Sequence, residues 1–408
     1  MSEITACRSC EAKNFDIVLD LGALPLANAL LTREQCSQPE RNYPLTLVRC
    51  ATCSLLQITE RVPADILFSH YFYCSSFSRT FLEHCKSLAQ RMIRERQLSA
   101  SSLVIDIASN DGYLLQYYRE KNIPILGVEP ARNIAAKAVE EGIPTRMAFF
   151  TSDEAEAMAQ EGIRADVIHA NNVLPHVANQ KDFVRGIKQV LKPTGIAVIE
   201  FAYAVDTIDR TEFDQIYHEH MCYFSFTSFQ RLCSSAGLAT VSVERLSVHG
   251  GSLRVFLAHS AMTQDASVAA MLHAEKAWGV DTPEPYRKFA TRVATLKTSL
   301  LALLNELKAH GKRIAVYGAS AKGSTLMNSF GIGKELVDYI VDRNRAKHGF
   351  FSPGTHVEIF PAEKLLSDQP EYTLLLTWNF EREILLEQKE YRARGGKFIV
   401  PIPEPTVV

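Results

Sequence analysis

No run of basic residues occurs anywhere in the 408-residue chain, and its 44 Lys and Arg are matched by 46 Asp and Glu, for a formal net charge of −2. A nucleic-acid binder shows a basic face, so this balance argues against DNA or RNA as the partner. Long apolar stretches are missing as well. Those present are short and broken by charge, which argues against a membrane-spanning helix. The N-terminal MSEITACRSC has no basic region followed by an apolar core, so no secretory signal is expected. Solenoid repeats and low-complexity tracts are also absent. With no secretory leader, the nine cysteines are expected as thiols or metal ligands in a reducing compartment, the cytoplasm. A 47% hydrophobic and 22% charged composition is ordinary for a globular protein. The length exceeds one ordinary core and predicts two or three domains.

Four of the cysteines form two pairs, Cys7 with Cys10 (CRSC) and Cys50 with Cys53 (CATC). Two intervening residues let both sulfurs of one turn reach a single tetrahedral Zn²⁺, and four sulfur ligands leave no position for water. The spacing predicts a structural zinc clip; four unligated thiols are the plain alternative. A metal would also remedy the small core of a segment this short. Cys36, Cys74, Cys85, Cys222 and Cys233 lack partners at metal spacing and read as packing residues.

Beyond a helical stretch from about 61 to 100, strands and helices alternate. SLVIDIA, ILGVEP and ADVIHANNVL read as strands. FVRGIKQVLKPTG reads as a helix running into the strand IAVIEFA. Such alternation predicts a doubly wound parallel sheet. A second α/β block starts near residue 312 with the strand RIAVYGAS, the helix KGSTLMNSFG and the strand VDYIVDRN. Residues 264–310 read as a charged helical connector.

In LVIDIASNDGYLL an apolar strand ends at Asp106, and the small residues Ala108, Ser109 and Gly112 open a helix. Backbone amides in such a turn can approach a ligand closely. Glu129 ends the next strand about twenty residues on, placed for two ribose hydroxyls. A dinucleotide site has the same outline but wants G-x-G-x-x-G, whereas Ala108 and Asn110 occupy the first two positions. Asp106 and Asp111 suit the ammonium and sulfonium end of S-adenosylmethionine better than a diphosphate. Asn171 and Asn172, after the third strand, are expected beside that cofactor and His176 beside the substrate. A plain doubly wound domain with an unremarkable turn is the alternative.

FDQIYHEHMCYFS places Tyr217, His218, Glu219 and His220 in succession after the fourth strand, where an open α/β fold keeps its active site. Together they offer a proton acceptor, an orienting carboxylate and a donor for an oxyanion. A metal site or a purely structural polar turn are the other readings. Carbon is not nucleophilic until it loses a proton, and a neighbouring carbonyl makes that loss feasible. A base beside an oxyanion donor therefore suits methylation of carbon alpha to a ketone.

CRSC and CATC, LGALPLAN, DIASNDG, ANNVLPHV, YHEHMCYFS, SVHGGSLRVF, YGASAKG and VDRNRAKHG together resemble the sugar C-methyltransferases of deoxysugar biosynthesis, over nearly the whole chain. The resemblance implies α/β architecture in three parts. These are a zinc-binding domain (1–65), a central Rossmann-like class I methyltransferase domain (66–263), and a C-terminal Rossmann-like domain with the helical connector (264–408) that helps hold a nucleotide. It further implies His220 as general base, with Tyr217, Glu219, His176 and Tyr71 on the substrate side and Asp106 and Glu129 on the cofactor side. Ser320 and Lys322 of GASAKG suit a diphosphate; a Gly-rich packing turn is the alternative. Related proteins often carry G-S-N-D-G where this chain reads A-S-N-D-G, so Ala108 adds one methyl group. The expected reaction is methylation at carbon three of a nucleotide-linked, dTDP by preference, 4-keto-6-deoxyhexose by a monomer. O- or N-methylation of such a sugar, RNA modification and non-catalytic binding are the competing functions.

Overall fold

The computed structural model describes residues 4–63, 66–67, 76, 79–259 and 262–408. Its strands fall into three sheets. The first is antiparallel: β1 (Phe15–Pro25), β2 (Asn42–Cys50) and β3 (Leu56–Ile58), with the cysteine pairs at one end. Its fourth strand, β9 (Cys222–Tyr223), comes from far along the chain and directly follows the YHEH run.

The central sheet contains β4 (Val104–Ile107), β5 (Ile125–Val128), β6 (Thr145–Arg146), β7 (Ala165–Asn171), β8 (Leu191–Ala202), β10 (Leu238–Leu246) and β11 (Ser252–His259). Their order across the sheet is β10-β11-β8-β7-β4-β5-β6. Among the described residues β11 alone runs antiparallel to its neighbours, which closes an otherwise parallel sheet with a hairpin. Strand order reverses between β4 and β7, and a ligand is expected above the strand ends at such a point. One expected boundary moves: the helix Gln180–Val190 stops before KPTG, and β8 begins at Leu191. Pro193 has no N–H to donate and disfavours helical backbone in the residue before it.

The third sheet holds β12 (Ile314–Tyr317), β13 (Ile340–Asp342), β14 (Ile359–Pro361), β15 (Tyr372–Leu375), β16 (Lys397–Val400) and β17 (Thr406–Val407), in the order β14-β13-β12-β15-β16-β17. Here the order reverses at β12, the strand that feeds the GASAKG turn. Between the second and third sheets lie the helices Ala266–Trp278 and Glu284–Ala309. They are more than a connector. One continuous buried cluster joins Leu45 and Leu47 of β2, Phe289 and Leu300 of the long helix, and Val316 of β12. That cluster joins the first and third sheets, and a second one joins Tyr43 and Cys50 of β2 to Ile105 of β4 and Ile199 of β8. No helix among the described residues is long and apolar enough to cross a membrane.

Candidate active site

The zinc clip is built from two matching turns. Glu11 follows Cys10 and Ser54 follows Cys53, and both have left-handed backbone, at φ 65° and 63°. Each turn closes with an amide donating to the first cysteine's carbonyl, Glu11 N to Cys7 O and Ser54 N to Cys50 O. The sulfurs of Cys7 and Cys53 lie 3.6 Å apart, those of Cys10 and Cys50 3.5 Å apart, and all four within 4.8 Å of one another. A tetrahedron with Zn–S bonds near 2.3 Å has edges of about 3.8 Å, so the four thiolates fit one ion.

A cavity of about 1520 Å³ opens above the central sheet's switch point and reaches all three domains. On the cofactor side it is lined by Ala108, Asn110, Glu129, Asn171 and Asn172. The loop after β4 turns through two non-glycine residues with positive φ, Ala108 (57°) and Asn110 (49°). Glu129 staples it down, accepting from the amides of Asn110 (3.0 Å) and Ala131 (2.8 Å). Gly127 makes room beneath, since a Cβ there would collide with the Ser109 hydroxyl. Both amide atoms of buried Asn171 lack a partner among the described residues. A polar ligand at the strand end would satisfy them, which suits the amino-acid end of S-adenosylmethionine.

Two expected cofactor residues do not line this cavity. Ile105 and Ile107 face one side of β4, so Asp106 shares the opposite face with Val104. It is fully buried, its oxygens have no partner among the described residues, and burial and the nearby Glu129 push its carboxyl well above the usual range. Asp111 turns aside to accept from the Ser76 hydroxyl at 2.6 Å. Tyr71 lies outside the described residues.

On the chemical side the cavity brings together His176, Tyr217, Glu219 and His220. His220 Nδ1 donates to the Gln215 carbonyl (3.0 Å), which leaves Nε2 as acceptor for the Tyr217 hydroxyl at 2.8 Å. Burial, together with the neighbouring His176 and Lys322, holds His220 well below the ordinary imidazole value. His176 Nδ1 donates to the Glu219 carbonyl (2.8 Å), and burial lowers it to about 4. Both rings are neutral at pH 7. Glu219 is pushed up to about 7 by burial, opposed by an Asn28 hydrogen bond and by Lys347. His218 turns the other way, into the N-terminal domain.

The third wall is the GASAKG turn. Ser320 caps the helix Ala321–Phe330 by accepting from Gly323 N (3.1 Å), and Lys322 lies 4.9 Å from the Trp378 ring centre. Trp378 in turn donates to Asp214 at 2.7 Å. Lys347 and Arg345 add positive charge to the same wall. Asn28, Gln215, Asp214, Trp378 and Lys347 were not singled out from sequence. Asn28 and Lys347 do sit in conspicuous motifs, LGALPLAN and VDRNRAKHG, and Asp214 and Gln215 in FDQIYHEHMCYFS, whereas nothing local marks Trp378.

Three family models match successive parts of the chain: a zinc binding domain over residues 7–68, a methyltransferase domain over 78–243, and a C-methyltransferase C-terminal domain over 247–403. The C-methyltransferase NovU of Streptomyces niveus is 34% identical over 407 residues, 99% of this chain and 97% of NovU. A ubiquinone biosynthesis O-methyltransferase of Methylobacterium nodulans is 31% identical over 131 residues, 31% of this chain and 49% of that protein. Among solved structures, the magnesium protoporphyrin IX methyltransferase ChlM from Synechocystis PCC 6803 with bound SAM overlaps 44% of this chain and 79% of its own. That overlap has 12% identity and a TM-score of 0.34.

Proposed function

The chain belongs to the S-adenosylmethionine-dependent C-methyltransferase family, and we propose that its substrate is a nucleotide-linked 4-keto-6-deoxyhexose, methylated at carbon three. The observation that carries this reading is the single cavity in which a cofactor loop, a neutral imidazole beside a phenol, and a lysine at a helix N-terminus face one another. Carbon acidity explains the middle group, and a diphosphate explains the last. A dTDP sugar in the cytoplasm is the preferred substrate, and the enzyme acts as a monomer.

The hydrogen bonds support the following residue roles. The Gln215 carbonyl fixes the tautomer in which His220 Nε2 carries the lone pair. When the keto-sugar enters, the Tyr217 hydroxyl turns from Nε2 to the C4 oxygen. Nε2 then takes the proton from C3, and the electron pair of the C3–H bond passes into C3–C4 while the carbonyl becomes an enolate. Tyr217 and His176 flank that oxygen. Bound S-adenosylmethionine supplies the electrophilic methyl group for the carbanion, and S-adenosylhomocysteine leaves. Lys322, Lys347, Arg345 and the start of the helix Ala321–Phe330 hold the diphosphate. Glu219 is a second candidate for the base. The observation favouring it is that the lone pair of His220 is engaged by Tyr217, while the carboxyl near 7 is matched to neutral pH.

The test is incubation with S-adenosylmethionine and a panel of dTDP-4-keto-6-deoxyhexoses in D₂O, read by mass spectrometry. One added methyl group, with deuterium entering unreacted sugar, is expected. His220→Asn should abolish both if His220 is the base, and Glu219→Gln if Glu219 is. No methylation and no exchange on any sugar would end the substrate reading.

A further inference from the structure

The N-terminal domain grips the segment 217–223 from behind. His218 Nε2 donates to the carbonyls of Tyr43 (3.2 Å) and Pro44 (3.1 Å). Further on, Ile58 N donates to Met221 O at 3.1 Å, and Gln57 and Leu56 of β3 pair with Cys222 and Tyr223 of β9. Gln57 is fully buried and reaches the zinc clip itself. Its Nε2 donates to Cys7 Sγ (3.2 Å) and its Oε1 accepts from Arg8 N (3.0 Å). One side chain thus joins a metal-ligating sulfur to the strand that holds the catalytic segment. A two-residue strand keeps no register without its neighbour, and among the described residues β3 is the one sheet partner of β9.

The same domain also reaches the cavity from the front. Asn28 Nδ2 donates to Glu219 Oε1 at 2.7 Å. Its loop is pinned on the far side to the C-terminal domain, where Leu31 pairs with Phe351 and Glu40 accepts from the Gly354 amide and from His356. The groups facing Glu219 are Asn28, Lys347 after β13, His176 after β7, and Tyr217 and His220 on its own segment.

We infer that the zinc-clipped domain is a working part of the active site, in which Asn28 positions Glu219 and Gln57 ties the order of the metal clip to residues 217–223. Metal binding to such a clip is itself folding free energy, so loss of the ion loosens β3 and then β9. The role of Asn28 rests on the sugar reading above with Glu219 as its base; the tie through Gln57 does not.

Asn28 is exposed, so its replacement leaves the core intact. Asn28→Ala should lower kcat roughly tenfold to a hundredfold, the usual cost of a hydrogen bond to a charge. The KM for S-adenosylmethionine, the zinc content and the melting temperature should stay unchanged. The Asn28 N–H favours the ionised carboxylate. Without it Glu219 keeps its proton to higher pH, and the rising limb of the pH–rate profile moves alkaline. Asn28→Asp should move it further. A wild-type kcat and an unmoved limb would overturn the assignment.

The tie is tested without substrate, by hydrogen exchange of the full chain before and after zinc is extracted with a chelator. Amides of 218–223 should lose protection while β4 and β12 keep theirs. Gln57→Leu should reproduce that loss with zinc still bound. Retained protection at 218–223 after the metal has gone would overturn the tie. A wild-type protein that methylates no keto-sugar would sink the substrate reading, and the exchange result would still decide the tie.

Discussion

Ala108→Gly is the substitution whose sign is most informative. Ala108 has φ 57°, and its amide donates to the Val128 carbonyl at 2.7 Å, so the loop is held in the left-handed region by its own hydrogen bond. An alanine there costs about 1–2 kcal/mol relative to a favourable conformation, because its Cβ crowds the following carbonyl. Glycine carries no such penalty, but loses about 0.4–1 kcal/mol through the greater freedom of the unfolded chain. The difference leaves Ala108→Gly more stable by roughly 0.5–1 kcal/mol, a rise of about 1–4 °C in melting temperature for a domain of this size. Thermal unfolding with and without S-adenosylmethionine measures both the gain and any change in cofactor affinity. In helical or extended backbone the same change would cost about 0.5–1 kcal/mol instead. A lowered melting temperature would therefore refute the left-handed loop.

Tyr217→Phe removes the hydroxyl on His220 Nε2; turnover should fall on the order of a hundredfold with little change in cofactor KM, checked by steady-state kinetics. Lys322→Met keeps the side chain over Trp378 but removes its charge. The KM for the nucleotide sugar should rise about tenfold while sugar-independent S-adenosylmethionine affinity holds, measured by calorimetry. Cys53→Ser should release the zinc and lower the melting temperature by more than any cavity variant, read by metal analysis and calorimetry.

What was legible in the sequence is what is local. The cysteine pairs lie in two turns of the same form, and the cofactor loop and Glu129 are a strand-turn-helix and a strand end within about twenty residues. Asp106 ends the expected strand yet does not line the cavity, lying on the face of β4 opposite Ile105 and Ile107. Strand alternation held the answer, because an Ile107 at the cavity sends its neighbour the other way. Ala108 was read as one extra methyl group, whereas its backbone angle matters more than its volume, and no spacing rule reveals φ. Asn28 on Glu219 and Trp378 on Asp214 join residues 191 and 164 positions apart, and β9 is too short to show any periodicity. Those contacts exist only after three sheets have packed.

That dependence yields a last prediction. Leu45 and Leu47 of β2 are each 1% exposed, and they share a buried cluster with Phe289 and Leu300 of the long helix and Val316 of β12. Residues 1–263 keep every zinc ligand and the whole YHEH segment but lose that covering. A fully buried leucine is worth roughly 1.5–3 kcal/mol. Leu24, Leu45, Leu47 and Leu56 of the same cluster together are therefore worth about 6–12 kcal/mol, against a total stability near 5–15 kcal/mol for a typical domain. Uncovering even half of that area leaves the first sheet marginal, and β9 with it. A 1–263 fragment is expected to aggregate, or to bind zinc without protecting the amides of 218–223. A monomeric fragment that holds one zinc and melts cooperatively near the full-length temperature would show that the N-terminal sheet stands alone, and that the shared core is a consequence of assembly rather than its cause.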